Sequence, residues 1–246
     1  MSDSRGTDDL RPSVIGARRI GILGGTLDPI HCGHLAAAIA ARDAFDLSRV
    51  LVLPSRVPPH RPAEPLASAF HRFAMAALAV AGVPKLFASD DELRLDGPSY
   101  TADTLERQRA RGIRPSQIFF ITGADAFAEI ATWKRYPDVL DLANFVVVSR
   151  PGHQIDGLAS RLPALAGRMR GAEDAAPVGD KPLIFLLHAP TPDVSSTVLR
   201  ERLRRREAIT GLVPSLVETH IHQHQLYSTS TEAAADKSAD QLHGQN

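Results

Sequence analysis

The chain has 246 residues, 43% of them hydrophobic, which is enough for one α/β domain with a sizeable core. Its 28 basic and 28 acidic residues cancel, so no overall charge favours nucleic acid or an anionic membrane as a partner. The single cysteine, Cys32, excludes an intrachain disulfide, and no apolar run is long enough to predict a membrane span. We therefore expect a cytoplasmic protein whose phosphate binding, if any, comes from a local site.

Polar and charged stretches at residues 1–17 and 228–246 predict disordered tails around a single domain, residues 18–227. Within it, apolar runs alternate with helical patterns. In chain order, the patterns predict strand 19–23, helix 34–45, strand 49–53, helix 67–80, strands 85–88 and 92–95, helix 100–111, strand 117–122, helices 124–130 and 136–142, strand 145–149, a variable surface segment 151–181, strand 183–187, and helices 197–206 and 214–224. This alternation indicates an α/β fold with a Rossmann-like, doubly wound parallel sheet and helices on both faces. Ligands of such sheets bind outside the carboxyl ends of the strands.

The first predicted strand ends in Gly24, Gly25 and Thr26, and a helix opens near residues 32–34. Glycines allow backbone amides to approach a bound anion, and the start of a helix offers unpaired N–H groups and the positive end of a dipole. Neither the Walker phosphate loop nor the dinucleotide fingerprint GxGxxG is present. Taken alone, a Gly-Gly pair here is also typical of a plain tight turn.

His31 and His34 are three residues apart, so both can face one side of the first helical turn, and Gly33 between them removes a side chain. Two histidines and free amides suit a triphosphate attacked at its α-phosphorus, because nucleotidyl transfer depends on positioning and on neutralising charge. An imidazole can donate a hydrogen bond or, if its pKa is raised, carry charge. Such a pair is also half of many metal sites, but no glutamate or cysteine cluster accompanies it, and we expect no metal ligands in this protein.

The stretch GGTLDPIHCGH resembles the GGTFDPxHxGH signature of the nucleotidyltransferase superfamily that carries the (H/T)xGH motif. Leu27 stands where that signature has phenylalanine, which is a change of packing. The resemblance implies that His31 and His34 act on the phosphates of a nucleotide.

A second cluster, Ser195, Ser196 and Thr197, precedes a basic helix, and Arg200 lies one turn further on the same face. Hydroxyls at a helix start are typical of an N-cap, and equally of a cradle for an anion. DVSSTVLR resembles the (I/V)SSTxIR motif of the same superfamily, which grips the β- and γ-phosphates of ATP. The arginines at 202 and 204–206 are typical of a solvated helix face, so RNA binding is not expected.

Four further segments resemble bacterial nicotinate mononucleotide adenylyltransferases: VPPHR at 57–61, GPSYTADTL at 97–105, ITGAD at 121–125 with the later tryptophan, and SRPG at 149–152. The likeness runs from about residue 19 to residue 227, with 153–181 unmatched. Arg61 replaces a lysine of that family, which keeps the charge but changes its geometry. The substrate-binding residues that the resemblance implies are His60, Arg61, Tyr100, Thr101, Asp125 and Trp133.

These residues also have structural interpretations. Trp133, the only tryptophan, can stack on an electron-poor pyridine ring or anchor the core. Asp125 can contact substrate or favour a helix N-terminus. Tyr100 and Thr101 can close a loop. The HxHxH run at 220–224 can bind metal, but its place in a terminal helix favours solvation or packing, and these histidines and His71 stay unassigned.

The resemblance implies that nicotinate mononucleotide and ATP, with Mg²⁺, give deamido-NAD and pyrophosphate. The catalytic residues that it implies are His31, His34 and Arg200. The ATP-binding residues would be Gly24, Gly25, Thr26, Gly33, Arg150, Ser195, Ser196 and Thr197. Another phosphorylated acceptor, such as nicotinamide mononucleotide, and a non-catalytic nucleotide-binding regulator are the alternatives. The sequence does not indicate an oligomeric state.

Overall fold

A computed structural model describes residues 19–59, 66–152, 155–174 and 181–228. The two tails predicted to be disordered lie outside these ranges, except for Ser228 at the start of the second tail. His60 and Arg61, predicted to bind substrate, also lie outside the described residues. The strands are β1 Ile20–Gly25, β2 Arg49–Pro54, β3 Leu86–Ala88, β4 Ile118–Gly123, β5 Asn144–Val148, β6 Met169–Gly171 and β7 Ile184–Leu187. The α-helices are α1 Cys32–Ala44, α2 Ala69–Val80, α3 Thr101–Ala110, α4 Ala124–Ala128, α5 Leu158–Arg161, α6 Ser196–Arg204 and α7 Ser215–Gln223. Short 3₁₀ helices span Pro115–Gln117, Ile130–Thr132, Asp138–Asp141, Pro163–Arg168 and Ala172–Asp174.

The strands form one parallel sheet in the order β3-β2-β1-β4-β5-β7-β6. Along each central strand, side chains alternate between two cores. One core packs α1, α2, α6 and α7 on one face, and the other packs α3, α4 and α5 on the opposite face. The prediction of a doubly wound parallel sheet is therefore confirmed.

The chain order reverses beside β1. From β1 the chain moves outward to β2 and β3, and then returns to the other side of β1 with β4. This reversal opens a crevice above the carboxyl ends of β1 and β4, which is where doubly wound sheets bind ligands. The residues that follow these two strands begin the candidate site.

The sequence interpretation was wrong in three places. Residues 92–95 form turns rather than a strand, and Glu92 is buried there with the Thr104 hydroxyl donating to its carboxylate at 2.5 Å. The segment 151–181 contributes an edge strand, β6, and buries Leu158 and Leu165, so it is not only surface. Residues 136–142, predicted as a helix, form only a 3₁₀ helix at Asp138–Asp141. Across the described residues, every helix is too short or too polar to cross a membrane.

Candidate active site

The first turn of α1 holds the two predicted histidines against each other. Their ring centroids are 3.8 Å apart, with the planes tilted by 31°. His31 is the extended residue before the helix, and its backbone N–H donates to Nδ1 of His34 at 3.3 Å. Because Nδ1 accepts, the proton of a neutral His34 ring is on Nε2, which is left as a donor. Nδ1 of His31 is buried and has no partner among the described residues, as expected of a group that binds a ligand.

Both imidazoles are held neutral. Burial, followed by the positive charge of Arg150, lowers the pKa of His31 to about 3. Burial, His31 and Arg150 together lower the pKa of His34 well below its ordinary value. The histidines therefore act as neutral hydrogen-bond donors rather than as cations, and the positive charge nearby belongs to Arg150. The positively charged imidazole, which the sequence analysis left open for these histidines, is thus disfavoured.

The three glycines of the first motif, Gly24, Gly25 and Gly33, differ in how closely other side chains pack against them. A Cβ on Gly33 would lie 3.1 Å from the His31 ring and 3.4 Å from Val194, so this glycine allows the histidine to lie against the helix. A Cβ on Gly24 would lie 3.3 Å from the Phe120 ring. On Gly25 it would meet only Leu27, at an ordinary 3.7 Å. A side chain at Gly33 or Gly24 would therefore require its neighbours to shift by a few tenths of an ångström, whereas one at Gly25 meets only ordinary contacts.

A buried hydrogen-bond network that the sequence interpretation missed fixes the loop before α1. Asp28 is 1% exposed, and its carboxylate accepts from the backbone N–H groups of Leu66 and Ala67 at 2.8 and 3.2 Å and from the Tyr227 hydroxyl at 2.6 Å. Arg72, fully buried in α2, interacts electrostatically with this carboxylate.

Arg72 also joins the loops that follow β1 and β2. Its guanidinium donates to the carbonyls of Thr26 at 2.7 Å, Ser55 at 2.6 Å and Arg56 at 3.0 Å, and to that of Ala67 at 3.2 Å. The signal in the sequence was an arginine within an apolar helical pattern.

The second predicted motif packs directly on this loop. The Ser195 hydroxyl accepts from the Val198 N–H at 3.2 Å, so this serine acts as the N-cap of α6. The Ser196 hydroxyl donates to the carbonyl of Pro29 at 2.9 Å. The N-termini of α1 and α6 therefore converge on one place, and both present unpaired N–H groups and positive dipole ends.

Arg200 is 4% exposed and braces the same contact. Its guanidinium donates to the carbonyl of Asp28 at 2.8 Å and to the Thr197 hydroxyl at 3.3 Å. The structure thus joins the residues of the two motifs, with Arg200 holding the loop as well as lying beside the predicted phosphate site.

The next two strands add a cation and a carboxylate. Gly123 ends β4, and a Cβ on it would lie 2.5 Å from Oδ1 of Asp125 and 3.5 Å from Cδ of Arg150. Asp125, at the start of α4, is exposed, and Arg150 is half-buried close enough to depress both histidine pKa values. Both predicted residues therefore flank the crevice.

Trp133 lies on the other side of β4 and combines its two interpretations. Its ring is half-buried and meets Phe120 edge-on at 5.9 Å and Phe145 at 6.2 Å. Phe120 is also the residue that faces Gly24, so one aromatic ring links the phosphate loop to the tryptophan. The half-buried indole is therefore a core anchor that keeps part of its surface accessible.

Two exposed ion pairs attach the Trp133 loop to α3. Lys134 contacts Asp103 at 2.9 Å, and its ammonium lies 4.5 Å from the centroid of the Tyr100 ring. Arg135 contacts Glu106 at 3.0 Å. Tyr100 and Thr101, at the start of α3, are thereby brought towards the tryptophan, as the resemblance implied. The acidic pair Asp103 and Glu106 therefore connects the two segments.

The crevice therefore has a phosphate side, made of the turn after β1 with the starts of α1 and α6, and an aromatic side, made of Trp133 and the start of α3. This arrangement on a doubly wound sheet defines a nucleotide-binding α/β protein of the nucleotidyltransferase class. Comparison with known proteins agrees: the profile of the cytidylyltransferase-like family matches residues 22–202.

Curated relatives narrow the class. The chain is 38% identical over 219 residues to a probable nicotinate-nucleotide adenylyltransferase of Moorella thermoacetica, covering 89% of this chain and 96% of the relative. It is 41% identical over 210 residues to the probable enzyme of the same name from Roseiflexus sp., covering 85% and 97%. The chain belongs to the nicotinate-nucleotide adenylyltransferase family, as the sequence predicted.

Solved structures agree on the fold. The nicotinic acid mononucleotide adenylyltransferase of Plasmodium falciparum, complexed with NaAD, superposes with a TM-score of 0.66 at 20% identity, over 85% of this chain and 97% of that one. At this identity the likeness supports the architecture.

Proposed function

We propose that this chain transfers the adenylyl group of MgATP to nicotinate mononucleotide, giving deamido-NAD and pyrophosphate. The observation that carries the proposal is the convergence of the neutral His31–His34 pair and two helix N-termini on one crevice. The relatives named above bear the same activity in their names.

The reaction needs no covalent intermediate. An oxygen of the acceptor's 5′-phosphate attacks the α-phosphorus of ATP in line, and the bond from that phosphorus to the bridging oxygen of the β-phosphate breaks. Nε2–H of His34 and the backbone amides after β1 donate to the α-phosphate, where charge develops. His31, Arg150 and the N-terminus of α6 receive the pyrophosphate.

Arg200 and Arg72 contribute by holding backbone carbonyls of the loop in place. Arg200 holds the Asp28 carbonyl, and Arg72 holds the carbonyl of Thr26, so the amides of the turn keep their direction when the phosphates arrive. Donors fixed in advance need no reorganisation as the reaction proceeds.

We assign Mg²⁺ to the ATP substrate. The carboxylate of Asp28 is committed to Leu66, Ala67 and Tyr227, so it does not suit a hydrated ion. Asp125, exposed at the rim beside Gly123, supplies the oxygen chemistry that Mg²⁺ prefers when it also binds phosphates.

On the aromatic side, the partly exposed indole of Trp133 suits stacking on the nicotinate ring, and the N–H groups at the start of α3, near Thr101, suit its carboxylate. This part of the site favours the acid over the amide.

Pyrophosphate release should be measured with MgATP and, in parallel, nicotinate mononucleotide, nicotinamide mononucleotide and phosphopantetheine. We expect a strong preference for the nicotinate form. Preference for another acceptor would keep adenylyl transfer but discard the acceptor assignment, whereas no release with any of them would favour a nucleotide-binding regulator.

The same assay on His34→Ala tests the phosphate side. We expect kcat to fall by about 10²–10³-fold with an unchanged circular-dichroism spectrum, because one fixed donor to the developing charge is lost. Turnover close to that of the unaltered chain would contradict the role given to His34.

A further inference from the structure

Three histidines converge on the back of the site, where α2 packs against α7. His71 comes from the first turn of α2, His220 from α7, and His224 from the residue that caps α7. One ring nitrogen from each lies within 4.8 Å of the other two. This cluster is separate from the His31–His34 pair and has no part in the adenylyl transfer described above.

The spacing along α7 is that of a helical metal motif. His220 and His224 are four residues apart, and the His224 N–H donates to the His220 carbonyl at 3.1 Å, so the two side chains lie one turn apart on one face. Their ring centroids are 4.4 Å apart. Two histidines at this spacing on a helix recur in zinc proteins because both nitrogens can then reach one ion.

His71 completes the set from the facing helix. Its Nδ1 lies 3.1 Å from Nε2 of His220, and its ring centroid is 4.9 Å from that of His224. Nitrogens bound to one tetrahedral Zn²⁺ at about 2.0–2.1 Å stand about 3.4 Å apart. The 3.1 Å contact is thus already at the separation that a shared ion imposes, and a small rotamer adjustment of His224 brings in the third nitrogen.

We propose that His71, His220 and His224 bind one Zn²⁺ ion, which links α2 to α7, with solvent completing a tetrahedral site. Three imidazoles without a carboxylate select zinc or a neighbouring transition metal over Mg²⁺. The proposal departs from the expectation of no metal ligands, under which the 220–224 run was interpreted as a solvated or packed part of a terminal helix.

The position gives the ion a structural role. His71 precedes Arg72, which holds the carbonyls of Thr26 and Ser55, and α7 leads into Tyr227, which holds Asp28. An ion that binds both helices therefore braces, from behind, the two elements that fix the phosphate loop.

The test uses the full-length chain freed of metal with a chelator and then titrated with ZnCl₂ in a calorimeter. We expect one zinc per chain. At a zinc concentration 100-fold above the dissociation constant, the midpoint of thermal unfolding should rise by about 5–10 °C. MgCl₂ alone should not produce this rise.

Three variants locate the ion. His71→Asn and His220→Asn should each lose the zinc and the thermal shift while keeping the metal-free circular-dichroism spectrum. His222→Asn is the matched control, because this side chain lies on the same helix but is 63% exposed and faces Glu218 at 4.0 Å. It should bind zinc like the unaltered chain.

Zinc that persists in His71→Asn would place the ion elsewhere on the chain and overturn the proposal. The absence of any zinc-dependent shift in the unaltered chain would also overturn it, and would leave the His71–His220 contact as a plain hydrogen bond.

Discussion

The two sides of the crevice are built by different means. On the phosphate side, buried side chains bind backbone carbonyls and amides: Asp28, Arg72 and Arg200 are all at most 4% exposed. On the aromatic side, Trp133 is held by edge contacts with phenylalanines and by ion pairs such as Lys134–Asp103, whose side chains are about 40% exposed.

The difference fits the roles that we propose for the two sides. Stabilising charge on a phosphate requires donors whose direction does not change, and a buried, fully bonded network provides this rigidity. Recognition of a flat ring tolerates movement, and solvent-screened ion pairs permit it at little energetic cost. We therefore expect perturbations of the phosphate side to affect stability most, and those of the aromatic side to affect acceptor binding.

The largest effect is expected for Arg72→Met. The substitution removes four hydrogen bonds to buried or partly buried carbonyls and the positive charge that interacts with the Asp28 carboxylate, so the free energy of unfolding should fall by about 3–5 kcal/mol. Urea denaturation measures it. Arg94→Met, which removes an exposed arginine paired with Asp90, should leave the denaturation midpoint unchanged. A similar small change for both variants would contradict the distinction between the two kinds of contact.

A second effect concerns pH. Burial lowers the pKa of His31 to about 3, whereas the unfolded chain titrates near 6.5. Between these values the unfolded state binds a proton that the folded state excludes, so stability is fully present above pH 6.5 and is lost as the pH falls towards 3. The loss from His31 between pH 7 and 5 is about 2 kcal/mol.

Urea denaturation at both pH values should show this loss in the unaltered chain and a smaller one in His31→Asn. His188→Asn, which alters a histidine that is 66% exposed, should keep the full loss. Identical pH dependence in all three proteins would show that the His31 ring is solvated.

The sequence predicted the elements whose pattern is local. Unbroken apolar runs such as FVVVS could be read as buried parallel strands, and the two phosphate motifs could be placed at helix starts. Strand β6 escaped prediction because it has three residues at the sheet edge, with Arg170 exposed in its middle. The roles of Arg72 and Tyr227 were not predicted because they depend on contacts with residues far away in the sequence. Arg72 contacts a residue 46 positions away, and Tyr227 contacts one that is 199 positions away.

A substitution on the aromatic side should weaken binding of the acceptor without changing the turnover rate. Trp133→Leu keeps part of the packing on Phe120 but loses the flat π-face, so KM for nicotinate mononucleotide should rise about tenfold while kcat changes little. Phe127→Leu is the control, because this ring also packs on Phe145 but is fully buried and so offers no surface to a substrate. It should lower stability without raising KM, and a rise in KM of similar size would show that the tryptophan acts only through the core.

The smallest effect is expected at the ion pair between α3 and the Trp133 loop. In a double-mutant cycle of Asp103→Asn and Lys134→Met, the coupling free energy should lie below about 1 kcal/mol and decrease with added salt, because both side chains are about 40% exposed. The same cycle on Asp28→Asn and Tyr227→Phe should give a larger, salt-insensitive coupling of about 1.5–3 kcal/mol, because that hydrogen bond to a carboxylate is buried. Equal couplings would mean that the aromatic side is as rigidly built as the phosphate side, and acceptor selectivity would then have to come from a preformed pocket rather than from one that adjusts around the ring.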